Sequence, residues 1–288
     1  MMHRFVQRPL LHSVSRNPAA AGGLLALLAF VAIAALAPLV APHPPGAPDL
    51  LGRLQPPAWL GGDLRHPLGT DHLGRDVLSR LAFGARIALI VGFAGVALAS
   101  VIGVTLGALA GFFGGWVDAL VSRVLETLIA VPNVLLYLAI LVAVGPGVWI
   151  MVLVIGGVGW TTIARVVRAE VLAVRQRSFV EAARASGVRP LGVLARHVLP
   201  NVAPSIIVIA TLGVANVILL EATLSFLGLG VQPPTVTWGR MLADGRAYLA
   251  TAWWLATFPG LAITALCLAL IFVGDWLRDV LDPRLRGR

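Results

Sequence analysis

The sequence contains no lysine: all 22 of its basic side chains are arginine, set against 13 acids. Charge of either sign is scarce, at 12% of 288 residues, about half the share of an ordinary soluble domain. A single cysteine, Cys267, excludes an internal disulfide. It sits in an apolar run, where a thiol behaves as a small hydrophobe. A phosphate loop of the form G-x-x-x-x-G-K-[ST] is also absent, since no lysine can follow the glycines of runs such as Gly111 to Gly115. The chain is therefore not expected to be an enzyme. Neither an internal repeat nor a pair of ionisable residues at mid-span is visible, and a self-sufficient secondary transporter or channel should show one or the other. Only Glu221 speaks for that rival.

What the sequence does contain is long uncharged stretches, which give a mean hydropathy of +0.90. Residues 20–41, 87–117, 127–164, 198–220 and 247–274 carry no Asp, Glu, His or Arg. Each can cross a bilayer core, which takes about 20 apolar residues as helix. The run 127–164 has length for two crossings, and Gly145-Pro146-Gly147 divides it. Six spans follow: 20–41, 85–113, 117–144, 148–168, 201–228 and 253–275. The first is expected to stay uncleaved, because Pro38 directly follows the signal-like Ala35-Leu36-Ala37 and the apolar run exceeds a signal peptide's core. The fold class is all-α, a polytopic membrane protein whose core, 85–275, carries a polar loop at 169–200. A tail at 1–19 and another at 276–288 flank it, and residues 42–84 form the longest outer connection.

With six spans, both termini and the 169–200 loop share one side. That side holds 14 arginines against five acids, a net of +9, while the other holds six arginines against five aspartates. The positive-inside rule makes the basic side cytoplasmic. The pI of about 11.5 thus reflects topology and not nucleic-acid binding.

In the outer connection, Leu73, Val77, Leu78 and Leu81 share one helical face and Arg75, Asp76, Ser79 and Arg80 another. This predicts a short amphipathic helix at the outer surface. His66, Asp71, His72 and Asp76 invite a metal reading, but their mixed spacing is weak beside closed metal sites. No metal or other cofactor is expected on this chain.

The polar segment between spans four and five is the most informative. Ser178 and Glu181 have capping-box spacing and predict a helix start. Ala182, Ala183 and Ala185 continue that helix, and Gly187 suits the left-handed residue that ends it. Pro190 suits the first turn of a second helix over 191–198, which Pro200 separates from span five. Phe179 offers one large apolar anchor. A solvated basic loop and a DNA-binding helix-turn-helix compete with a docking element for a cytoplasmic protein. Tethering between two spans argues against DNA, and the capping and placed Gly and Pro favour docking.

Glu181-Ala182-Ala183, then Gly187, then Leu199-Pro200 resembles the EAA signature of the membrane subunits of binding-protein-dependent ABC importers. "HPLGTDHLGRDVLSRLAFGARIAL" (66–89), "EATLSFLGLGVQPPTVTWGRML" (221–242) and "FVGDWLRDVLDPRLR" (272–286) are similar to hallmarks of the dipeptide/oligopeptide/nickel branch, in its second permease type. The resemblance implies the type I ABC importer permease fold. It makes the 178–199 loop a coupling helix that docks on an ATPase subunit through Ser178, Phe179, Glu181, Ala182, Ala183, Gly187, Leu199 and Pro200. It further implies a bacterial or archaeal cytoplasmic membrane, a second homologous permease, two ATPases that hold the ATP-Mg, and an extracytoplasmic solute-binding protein. Peptides are the implied cargo, with nickel chelates, glutathione and opines sharing the same motifs.

Of the charges within spans, Arg123 and Glu126 have the spacing of a local ion pair, and Asp118 suits a helix N-terminus. Glu221, with Asn216 before it, either lines a pathway or bonds neighbouring helices. Small residues such as Gly103, Gly107, Gly156, Gly157 and Gly159 should let spans two and four pack closely.

Overall fold

The computed structural model describes residues 17–281. Arg4, Arg8, Arg16 and the arginines at 284, 286 and 288 lie outside them. Nine principal helices follow in order: α1 Pro18–Ala35, α2 Val77–Phe113, α3 Gly115–Ala130, α4 Asn133–Val144, α5 Val148–Val174, α6 Ser178–Ala185, α7 Leu199–Phe226, α8 Trp238–Gly245 and α9 Trp254–Leu281. No strand occurs among the described residues. Five helices are long and apolar enough to cross a membrane, and the α3–α4 pair supplies a sixth span if counted as one.

Local chemistry sets the helix ends. Asn17 caps α1 by accepting from the Ala20 amide (3.1 Å), with Pro18 in the first turn. The Asp76 carboxylate caps α2 through the Ser79 amide (2.7 Å). Gly145, at φ +98°, ends α4 in the left-handed region that favours glycine.

Three expectations are corrected. Span three is not one helix: it bends by 87° between α3 and α4. Val131 is extended there (φ −95°, ψ 130°), as the residue before Pro132 is driven to be. The outer amphipathic helix does not exist as a separate element. Residues 70–76 turn back on themselves, and the helix that starts at Val77 is span two itself. At 37 residues it is about 55 Å long, well beyond a ~30 Å bilayer core. Its first turns therefore project past the membrane, and their polar face is buried: Asp76, Ser79 and Arg80 are all enclosed. Pro200, finally, interrupts nothing, because Pro190–Phe226 is continuous helix. Residues Leu194–Val198 open into a π-helical turn, in which the Leu199 amide reaches the Leu194 carbonyl. That wider turn brings a proline into the helix without a break.

The spine is α2 against α5, running parallel. Gly103, Gly107 and Gly111 lie at successive turns, and a Cβ on them would stand 2.8, 2.5 and 2.7 Å from the carbonyl oxygens of Trp160, Ala164 and Arg168. Backbone meets backbone along this seam, as small residues at membrane helix contacts permit. Gly156 joins it against Leu98, whereas Gly157 faces open space. Around this spine, α7 packs on α9 and α2, and α1 on α9.

Candidate functional site

At the lower end of the spine, α5 ends at Val174 and the chain turns within three residues into α6. Arg175 fastens the joint: its guanidinium donates to the Gly111 and Phe112 carbonyls at 3.0 and 3.2 Å, at the negative end of α2. Beside it, Arg168 forms a bidentate pair with Asp118 of α3. Asp118 sits in the first turn of α3, as expected, and also joins α3 to α5. Arg123 and Glu126 do pair, at 3.7 Å on an exposed face.

The element from α6 to Val198 has two distinct sides. Val180, Ala183, Val193, Leu194 and Val198 are buried against the lower core with Val167, Val171 and Val174. Ser178, Phe179, Glu181, Ala182, Arg184 and Gly187 are exposed. Phe179 is 38% exposed, and Leu191, just past Pro190, is 63% exposed. Arg184 lies over the Phe112 ring at 5.1 Å, which holds the back of α6 to α2. Two apolar side chains, an alanine face and scattered charge thus form one outward surface on a rigid base. Leu199 is half-buried and Pro200 exposed, both within the ascending helix. Of the EAA triplet, Glu181 and Ala182 face out and Ala183 faces in.

Gly187 has φ +77°. Its amide bonds the Arg184 carbonyl (3.0 Å), and the Val188 amide bonds that of Ala183 (3.3 Å). Those two bonds make a Schellman C-cap. A Cβ at Gly187 would meet no heavy atom within 4 Å, so backbone conformation alone calls for glycine. The capping box is not formed. Arg177 is the N-cap, Ser178 already has helical geometry, and no side chain caps this end. The helix starts one residue before the serine could serve it, while Glu181 still sits in the positive first turn. Leu191 was not singled out from sequence. A leucine directly after a helix-starting proline, on a segment bounded by arginines, is the signal that marks it.

Glu221 and Asn216 do not come together. Asn216 is exposed on α7. Glu221 is 1% exposed and accepts from Ser225 Oγ at 2.7 Å. It lies near the C-terminal end of α7 and is bonded within its own helix.

That cap, residues 41–76 with 229–253, closes the opposite pole. Asp71 and Asp244 bind Arg75 (2.6 and 3.5 Å) and Arg80 (3.5 and 3.8 Å), and Asp244 also binds Arg240 (3.1 Å). Trp238 and Trp254 donate to the Leu81 and Thr70 carbonyls at 3.0 and 3.2 Å.

A family profile described as "Binding-protein-dependent transport system inner membrane component" matches residues 103–287, a stretch that contains the whole two-sided element. The chain belongs to this family. A second profile, the "N-terminal TM domain of oligopeptide transport permease C", matches residues 10–57 of the permease. The permease is 44% identical over 276 residues to a Pseudomonas aeruginosa protein named as a di/tripeptide transport system permease, covering 96% of this chain and 91% of that one. It is 38% identical over 280 residues to a dipeptide transport system permease of Alkalihalophilus pseudofirmus (97% and 90%). A third dipeptide transport system permease, from Haemophilus influenzae, is 38% identical over 272 residues (94% and 92%).

Proposed function

We propose that this permease forms half of the transmembrane pathway of an ATP-driven importer for di- and oligopeptides, and that α6 and the Gly187 turn dock on an ATPase subunit. The observation that carries the docking role is the two-sided build of the element. Its inner face is fixed to the α2–α5 spine, while its outer face presents Phe179, Leu191 and an alanine surface. Peptide as cargo rests on the di- and tripeptide permeases to which this chain is similar. A second homologous permease would supply the other half of the pathway. Two ATPases would hold ATP-Mg, and an extracytoplasmic solute-binding protein would deliver the cargo to the outer cap. The excess of arginine on the side of α6 supports a cytoplasmic setting for that pole and for both termini, in a bacterial or archaeal membrane.

The test is Gly187→Val in the assembled importer. Labelled dipeptide uptake and co-purification of the ATPases should both fall, while the amount of inserted permease stays near wild type. Arg65→Ala, on the exposed outer surface, should change neither. Full uptake with full ATPase retention in Gly187→Val would exclude docking through this turn. Uptake displaced by a nickel chelate, glutathione or an opine, but not by unlabelled dipeptides, would reassign the cargo and leave the docking role standing.

A further inference from the structure

The outer cap brings together three metal-ligating side chains that are distant in sequence. One nitrogen each of His43 and His66 and one carboxylate oxygen of Asp76 all lie within 4.8 Å of one another. His66 Nδ1 stands 3.0 Å from Asp76 Oδ1, and the His43 and His66 rings stack at 4.5 Å. We propose that these residues bind a divalent first-row transition cation, of which zinc is the best match. It would be held by two imidazoles and one carboxylate, with a fourth position left to water.

Four observations converge on this. The donor set is two nitrogens and one oxygen, the borderline-soft mixture that zinc-type ions select and that calcium or magnesium do not. The second oxygen of Asp76 is committed, since it accepts from both the amide and the hydroxyl of Ser79 at 2.7 Å. That fixes the carboxylate and aims Oδ1 at the histidines, as outer-shell hydrogen bonds do for metal ligands. Ser79 Oγ in turn accepts the His43 amide (3.2 Å), so a single hydroxyl positions two of the three ligands. Finally, His43 Nδ1 is buried and has no hydrogen-bond partner among the described residues. A buried ring nitrogen without a partner is costly, and a cation beside it would remove that cost.

Bonds of about 2.0–2.1 Å to a tetrahedral ion put ligand atoms roughly 3.3 Å apart. The His66–Asp76 separation is already close to that, and the His43 ring would turn out of its stack on His66 to bring its nitrogen to the same ion. Such an ion would staple three points: the chain leaving α1, the outer loop, and the first turn of α2. The site stands apart from the ATPase-docking face and depends on no assignment of cargo.

The experiment uses the full chain, purified in detergent without a polyhistidine tag. After equilibration with excess Zn²⁺ and removal of loosely held metal on a weak chelator, wild type should retain about one zinc per chain. Its melting temperature should rise with added Zn²⁺. His43→Ala removes a ring that makes no hydrogen bond, so it should fold normally. It should bind zinc at least about tenfold more weakly and lose the Zn²⁺-dependent rise. Asp76→Asn, which keeps an acceptor for the Ser79 amide, should behave alike. His72→Ala, whose ring stacks on Tyr248 elsewhere in the cap, should retain the metal. Cobalt loading adds a signature, since a four-coordinate nitrogen–oxygen site should give intense visible absorption that His43→Ala lacks. If wild type retains no zinc, or if His43→Ala retains as much, the proposal fails and His66–Asp76 is a hydrogen-bonded pair only.

Discussion

The two poles of the permease handle charge in opposite ways. In the outer cap, Asp71, Asp76 and Arg80 are 5%, 1% and 4% exposed, and three arginines share two aspartates from segments about 170 residues apart in sequence. At the α6 pole, Glu181 and Arg189 face outward, and the apolar Phe179 and Leu191 stand beside them. A buried ion network is internally complete, and removing one member leaves the rest uncompensated. An exposed mixture of apolar anchors and charge on a fixed base has the composition of a surface that a partner completes. Under the proposed docking, the difference separates a part that holds its shape from a part that a partner recognises.

The comparison breaks most sharply at Asp71. This carboxylate accepts the Leu73 and Arg75 amides (2.8 and 3.0 Å) and the Arg75 guanidinium (2.6 Å), and pairs with Arg80. Asp71→Ala should destabilise the permease by about 3 kcal/mol, as loss of one partner in a buried pair does. Thermal unfolding in detergent would show this, and ATPase capture per folded molecule should be unchanged. If Asp71→Ala melts like wild type, the cap is not the rigid pole described here.

Gly107→Val probes what joins the poles. With 2.5 Å between its Cβ and the Ala164 carbonyl, α2 and α5 must separate, at a cost of about 1–3 kcal/mol. Both the melting temperature and uptake should fall. Gly187→Val comes next in size. Its strain is on the order of 1 kcal/mol, without any clash, so melting should hardly move while ATPase co-purification drops. A matching loss of stability would mean that the turn belongs to the fold and not to docking. Ser178→Ala should do least. Because the serine makes no cap, a change within about 0.5 kcal/mol is expected, with uptake preserved. A larger drop in stability would restore the capping box.

Legibility from sequence followed the range of the interactions involved. Gly145-Pro146-Gly147 and Gly187 act through their own backbones, so the helix ends they make could be read directly. The fold class and the span count followed from composition, which is also local. Pro132 carried an equally local signal, but the apolar run around it was long enough to hide a bend. Pro200 misled in the opposite sense, since its effect depends on the π turn that precedes it. The burial of Arg80 and Asp76 could not be read at all. Arg80 looks solvent-facing until Asp244, far along the chain, meets it, and Asp76 until His66 does. His43 escaped for the same reason: nothing near it in sequence hints that His66 and Asp76 lie alongside.

One further consequence follows from the glycine seam. α5 spans 27 residues, about 40 Å, and backbone contact with α2 along its lower half leaves no soft layer of side chains to absorb displacement. The pair behaves as a beam with a handle at one end, α6, and a weight at the other, the outer cap. Tilting a 40 Å beam by about 5° around its middle moves each end by roughly 2 Å in opposite directions. Under the proposed coupling, a modest shove on the handle would reach the far side of the membrane undiminished, with its direction reversed.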